Sequence, residues 1–101
     1  MSAQPVVLVN LLKVEPARQE VLLALLKQNT DTVIRTLHGW KATRLIAAHD
    51  GTCVVIYSEW ESAADVEAMR NDPRMRACFP RIVELASLDS MTGSTVLSEA
   101  R

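Results

Sequence analysis

The sequence predicts an α+β fold: a ferredoxin-like, split βαβ subunit with a four-stranded antiparallel sheet and helices on one face. Three observations carry this. The apolar periods along the chain change in the order strand, helix, strand, strand, helix, strand. Asp50-Gly51 stands between two β-rich runs, the pattern of a tight hairpin. And 101 residues suit one domain, with a core over about residues 6–97. A chain of that size buries roughly 65% of its unfolded surface.

Val6 to Val14 is apolar and β-branched on both faces and reads as the first strand. Pro16 favours a helix start. Val21, Leu22, Leu25, Leu26, Asn29, Val33 and Leu37 then hold one helical stripe. The helix so predicted is roughly 22 residues long, about 33 Å, and Gly39 stops it. Lys41–His49 and Thr52–Trp60 form the hairpin, through a two-residue type I′ turn at Asp50-Gly51. That turn sets His49 opposite Thr52, Leu45 opposite Ile56 and Arg44 opposite Tyr57. Ser62 and Asp65 resemble a capping box for a short helix to about Asn71. Asp72-Pro73 opens the next, to about Leu88, with Met75, Phe79, Ile82, Val83 and Ala86 as its stripe and Pro80 as a kink. Met91 to Leu97 reads as a last, polar strand.

Helices cover one sheet face only, yet two strands are apolar on both. Val54, Ile56 and Trp60 oppose Cys53, Val55 and Tyr57; Val6, Leu8 and Leu12 oppose Val7, Val9 and Leu11. A second sheet, most simply from an identical subunit, is expected to cover the outer face, giving a homodimer.

Composition excludes several partners. Eleven Lys and Arg against twelve Asp and Glu give a net charge of -1, with no basic field for nucleic acid or an anionic membrane. Four aromatic residues are too few for a base-stacking platform. The stretch Met1 to Lys13 lacks a basic leader and a membrane-length apolar run, so a cytoplasmic location is expected. Cys53 and Cys78 then read as reduced core thiols. No phosphate-cradling, nucleophile-elbow or metal-ligand motif is present. His38 and His49 read as turn or surface residues that share no helical face with a carboxylate. Arg70, Arg74, Arg76 and Arg81 read as a solvated helix face, with a mouth for anionic substrates as the functional alternative.

Two residues invite a chemical reading. Asn10 is the one amide on an apolar strand face, so it either bonds the protein or serves a ligand in a cavity. Trp60 shares a face with Ile56 and Val54, so it either closes the core or lines a pocket for a planar ligand.

The run Asn29-Thr30, Val33-Ile34-Arg35, Gly39-Trp40, Asp50-Gly51-Thr52, Val54-Val55-Ile56-Tyr57 and Trp60-Glu61-Ser62, with Asp72-Pro73 beyond it, resembles the antibiotic biosynthesis monooxygenase family. So does the opening Val9-Asn10-Leu11-Leu12-Lys13-Val14-Glu15-Pro16. The resemblance covers roughly residues 6–97 and implies subunits whose sheets pack as a dimeric α+β barrel. It implies a monooxygenase that oxidises a quinol, anthrone or similar polycyclic phenol with O2 and needs no flavin, haem or metal. Asn10 and Trp60 would be its catalytic residues, and Ile56, Leu45 and Phe79 would line its substrate pocket. The oxygenase branch has a second asparagine four residues before the tryptophan, where this chain has Ile56. The haem-cleaving branch has a histidine about ten residues after it, where this chain has Arg70. The alternative is a non-catalytic dimer of the same fold that binds a small apolar ligand.

Overall fold

The computed structural model describes residues 5–101; residues 1–4, where the leader reading began, lie outside the described residues. Strand β1 (Val6–Val14) leads through a 3-10 turn at Pro16–Arg18 into helix α1 (Gln19–Thr32). A second 3-10 turn, Ile34–Thr36, precedes β2 (Trp40–Ala47) and β3 (Cys53–Trp60). Helices α2 (Ala63–Asn71) and α3 (Pro73–Leu85) follow, and β4 (Ala86–Gly93) ends the ordered elements. All ladders are antiparallel, in the order β2-β3-β1-β4, as the split βαβ reading requires.

Four boundaries differ from expectation, each for a local reason. The first helix stops at Thr32 rather than Leu37, because Val33 leaves helical geometry at φ -122° and ψ -62°. Five of the seven residues 30–36 are β-branched. The Thr30 and Thr32 hydroxyls donate back to the carbonyls of Leu26 and Gln28, at 2.9 and 2.8 Å. Such back-bonding and stiff side chains weaken a helix end.

The hairpin keeps Leu45 opposite Ile56 and Arg44 opposite Tyr57. Its turn is not type I′, because Asp50 does not have the positive φ that turn needs. Instead the Gly51 N–H donates to the Ala48 carbonyl, and Asp50 accepts from the Thr52 N–H and hydroxyl. His49 and Thr52 therefore fall in the connection, outside both strands. Gly51, at φ +81°, lies against Pro16, whose Cβ is 3.0 Å from where a side chain would begin. The Gln19 amide donates to the Ala48 and Cys53 carbonyls at 3.1 Å, pinning α1 to the hairpin base.

Helix α3 runs through Pro80 to Leu85, three residues short of the expected end. Pro80 has no N–H, so the Arg76 carbonyl lacks its helical donor there. The last strand is Ala86–Gly93, not Met91–Leu97. It is an edge strand whose inward residues are Ala86, Leu88 and Ser90, too polar an alternation to stand out in the sequence.

The helix-side face of the sheet carries two packed clusters. One joins Leu12, Val14 and Val54 to Leu22, Leu25 and Leu26 of α1 and to Cys78 and Ile82 of α3. The other joins Leu8 and Trp60 to Ile34 and to Val66 and Met69 of α2. On the outer face Val9, Leu11, Cys53, Val55 and Tyr57 are half-buried, while Ile46 and Met91 are 54% and 58% exposed. Among the described residues no element packs on that face: the shortest extent is 20 Å, the thickness of a sheet and one helix layer.

Candidate functional site

The two clusters do not meet completely. A cavity of about 530 Å³ lies between sheet and helices, bounded by residues of both. Its floor is built by the two central strands. Period 2 turns Leu8, Asn10 and Leu12 of β1 and Ile56, Ser58 and Trp60 of β3 toward it. The register sets Asn10 directly between Ile56 on β3 and Ser90 on β4. Leu26, Asn29, Met75, Phe79 and Ile82 form walls from α1 and α3, and Arg70 and Arg76 stand at the rim.

Of the residues singled out in the sequence, Asn10, Trp60, Ile56 and Phe79 border this cavity. Leu45 does not: it pairs with Ile56 and packs against the first core cluster. Trp60 is 1% exposed, and its indole N–H donates to the Ser58 hydroxyl at 3.1 Å. That N–H is therefore spent within the protein and is not free for a ligand. Ser58 passes a hydrogen bond on to the Leu8 carbonyl at 3.4 Å.

Ser58 was missed in the sequence, although the spacing that singled out Ile56 and Trp60 runs through it. It is the buried polar residue among those described, at 4% exposure. Asn29 was seen only as part of a stripe; its amide donates to the Met75 sulfur at 3.3 Å, fixing one wall.

The charged lining residues are both arginines; no carboxylate or histidine borders the cavity among the described residues. Arg70 pairs with Glu67 at 3.1 Å and reaches the Ser90 hydroxyl at 3.5 Å across the rim. Arg76 has no ion pair among the described residues. Arg74 is engaged instead with Asp72, 3.2 Å away, and its guanidinium holds the Asp72 carboxyl below the usual carboxylate range. Arg81 lies outside, on a groove between α1 and α3. So the four arginines do not act together. Burial pushes the Cys78 thiol up, away from nucleophilic character.

His38 lies on no helix, so it shares no helical face with a carboxylate, but the fold brings one to it. It lies 3.8 Å from Asp65, and donor atoms of His38, Glu61 and Asp65 come within 4.8 Å of one another. Asp65 is already engaged at the start of α2: the Ser62 hydroxyl donates to its carboxylate at 2.8 Å and accepts from its N–H at 3.2 Å. This group is at the surface, away from the cavity.

A sequence profile described as antibiotic biosynthesis monooxygenase matches residues 5–81. Tetracenomycin-F1 monooxygenase of Streptomyces glaucescens is 39% identical over 72 residues, which are 71% of this chain and 64% of that protein. The matched part thus spans less than two thirds of that relative. Among solved structures, Rv0793 from Mycobacterium tuberculosis superposes with a TM-score of 0.81 at 22% identity, over 97% of this chain and 100% of that one. SnoaB, a cofactor-independent oxygenase from Streptomyces nogalater, superposes with a TM-score of 0.80 at 17% identity, over 95% and 97%. These two likenesses show the fold.

Proposed function

The chain belongs to the antibiotic biosynthesis monooxygenase family, and on that premise we propose that it oxidises a polycyclic phenol of the anthrone or quinol type with O2, without a cofactor, inside the sheet–helix cavity. The observation that supports this most is the floor of that cavity, where the Asn10 amide faces an apolar volume of about 530 Å³. A tricyclic phenol fits such a space.

The substrate supplies the electrons. An anthrone enolate passes one to O2; the carbon radical and superoxide combine; the peroxide loses water. One oxygen atom enters the product as a carbonyl, the other leaves as water, and the methylene loses both hydrogens. The protein must exclude water and favour the anion. Asn10 serves the anion as donor, and the Arg70 and Arg76 charges at the rim favour it further. Among the described residues no carboxylate competes within the cavity. The bare outer sheet face takes the sheet of a second copy, and a homodimer closes the barrel.

Oxygen uptake across a panel of anthrones and quinols tests this. One O2 consumed per anthrone, with the quinone band rising in step, is the expected result. No uptake from any member sinks the oxygenase reading. The second reading, a non-catalytic dimer that binds a small apolar ligand, draws on Ile56 and on the engaged Trp60 N–H, which leave few free donors. Tight binding of the panel without uptake would select it.

A further inference from the structure

We propose that the Ser58 hydroxyl, charged by the Trp60 indole N–H behind it, is the second hydrogen-bond donor to the bound phenolate. The inference rests on the reading of the cavity as a phenol site.

The geometry makes Ser58 a relay. A serine hydroxyl accepts up to two hydrogen bonds and donates one. Here it accepts from Trp60 Nε1 at 3.1 Å, so one lone pair is occupied and its own proton is made more acidic. That proton points at the Leu8 carbonyl across 3.4 Å, well beyond the usual O–H···O length of about 2.7–2.8 Å. Leu8 lies in the ladders to both β3 and β4, so its backbone keeps other partners when the hydroxyl turns away. The turn is a rotation about one bond, and it brings the proton to the cavity that Ser58 borders. A phenolate oxygen is a far better acceptor than a carbonyl already in a ladder.

Position agrees with chemistry. Asn10 stands opposite Ile56, and Ser58 is the next residue of β3 on the same face. The two donors are therefore diagonal neighbours, about 7–8 Å apart at Cα and less at the side chains. That spacing suits two oxygens on one edge of a fused ring, one at each donor. A phenol with a second oxygen at the neighbouring peri position can present one oxygen to each donor. The relay also accounts for the buried tryptophan: its N–H acts through Ser58 rather than on the ligand.

The test uses 1,8-dihydroxyanthraquinone, which has the peri oxygens, has no methylene to oxidise and changes colour when it ionises. Its ionisation pH is read in the complex with the wild-type protein and with Ser58→Ala, Ser58→Thr and Ser58→Cys. The wild-type complex is expected to ionise at least one pH unit below the free dye. Ser58→Ala is expected to lose most of that drop and Ser58→Thr to keep it. Ser58→Cys, close in shape and a weaker donor, should fall between, and it carries the test if the alanine variant does not fold. A wild-type complex that ionises like the free dye overturns the proposal. So does a folded alanine or cysteine variant whose complex ionises at the same pH as the wild-type complex. Oxygen uptake with anthrones is a separate readout: a dye shift without uptake would keep the donor and reject the oxygenase.

Discussion

Asn10 and Ile56 face each other across the β1–β3 ladder, and both border the cavity. An amide placed at 56 would lie beside the one at 10, within about 4.5–5.5 Å at Cβ. Ile56→Asn is therefore expected to fold with a Tm within a few degrees of wild type. It should raise anthrone oxidation by about 10²–10³, the worth of one well-placed oxyanion donor. Thermal melts and oxygen uptake check both halves. A variant losing about 1–3 kcal/mol with no gain in rate would mean that this face is packed core.

Asn10→Ala removes a side chain whose surroundings on the floor are Leu8, Leu12, Ile56 and Ser90. Its rate of anthrone oxidation is expected to fall by about 10²-fold, while urea midpoints of the purified variant move little. Steady-state kinetics beside a denaturation curve separate these effects. A large stability loss at unchanged rate would make Asn10 structural.

The outer sheet face carries Val9, Val55 and Tyr57 at its centre. An interface that covers it should bury well over about 1,000 Å² in total. Tyr57→Glu, Val55→Lys or Val9→Asp places a charge there and is expected to give monomers by sedimentation, and the wild type is expected to be dimeric at micromolar concentration. A wild-type monomer would remove the barrel altogether.

Gly39 holds φ +83°, and a Cβ there would sit 2.3 Å from the Asp65 carboxyl carbon. Gly39→Ala must strain the backbone and push Asp65 out of its contact with Ser62. The left-handed conformation costs about 1–2 kcal/mol, and the lost cap about 1 kcal/mol more. Urea unfolding should show a loss of about 2–3 kcal/mol, summing these two. A neutral result would mean that this corner yields freely.

Asp72 caps α3, accepting from the Arg74 N–H at 2.8 Å, and its carboxyl is held low by the Arg74 guanidinium. A folded-state value below the unfolded one stabilises above the unfolded value, near 4, and the gain fades as pH falls through the folded value. So Asp72→Asn should track wild type less steeply between pH 5 and 2, with its deficit largest at neutral pH. Identical pH dependence in the two would show that the pair adds nothing.

The sequence was most legible where the two apolar periods are strong. β1 matched its expected span because seven of its nine residues are apolar and four of those are valine. The register of the hairpin was legible because Leu45–Ile56 pairing follows from apolar alternation, even though the turn chemistry differed. β4 was not legible, since half of it faces out and its inward Ser90 breaks the pattern. The site divided the same way. Asn10 stood out as a lone amide on an apolar face. Ser58 did not, because a serine in a strand carries no signal until its contact with Trp60 is seen. Leu45 was misplaced because sharing a sheet face says nothing about where the helices leave a gap.

The central position of β1 has a consequence for biogenesis. Both of its neighbours, β3 and β4, are synthesised later, and β4 comes from the far end of the ordered chain. A nascent chain leaving the ribosome carries Val6 to Leu12 before β3 and β4 exist to pair with it. Such a run, apolar on both faces, is what templates intermolecular β-association. Asn10 interrupts it at its middle. The same amide that borders the cavity in the finished protein thus also breaks the apolar continuity of this run while its partner strands are still unmade.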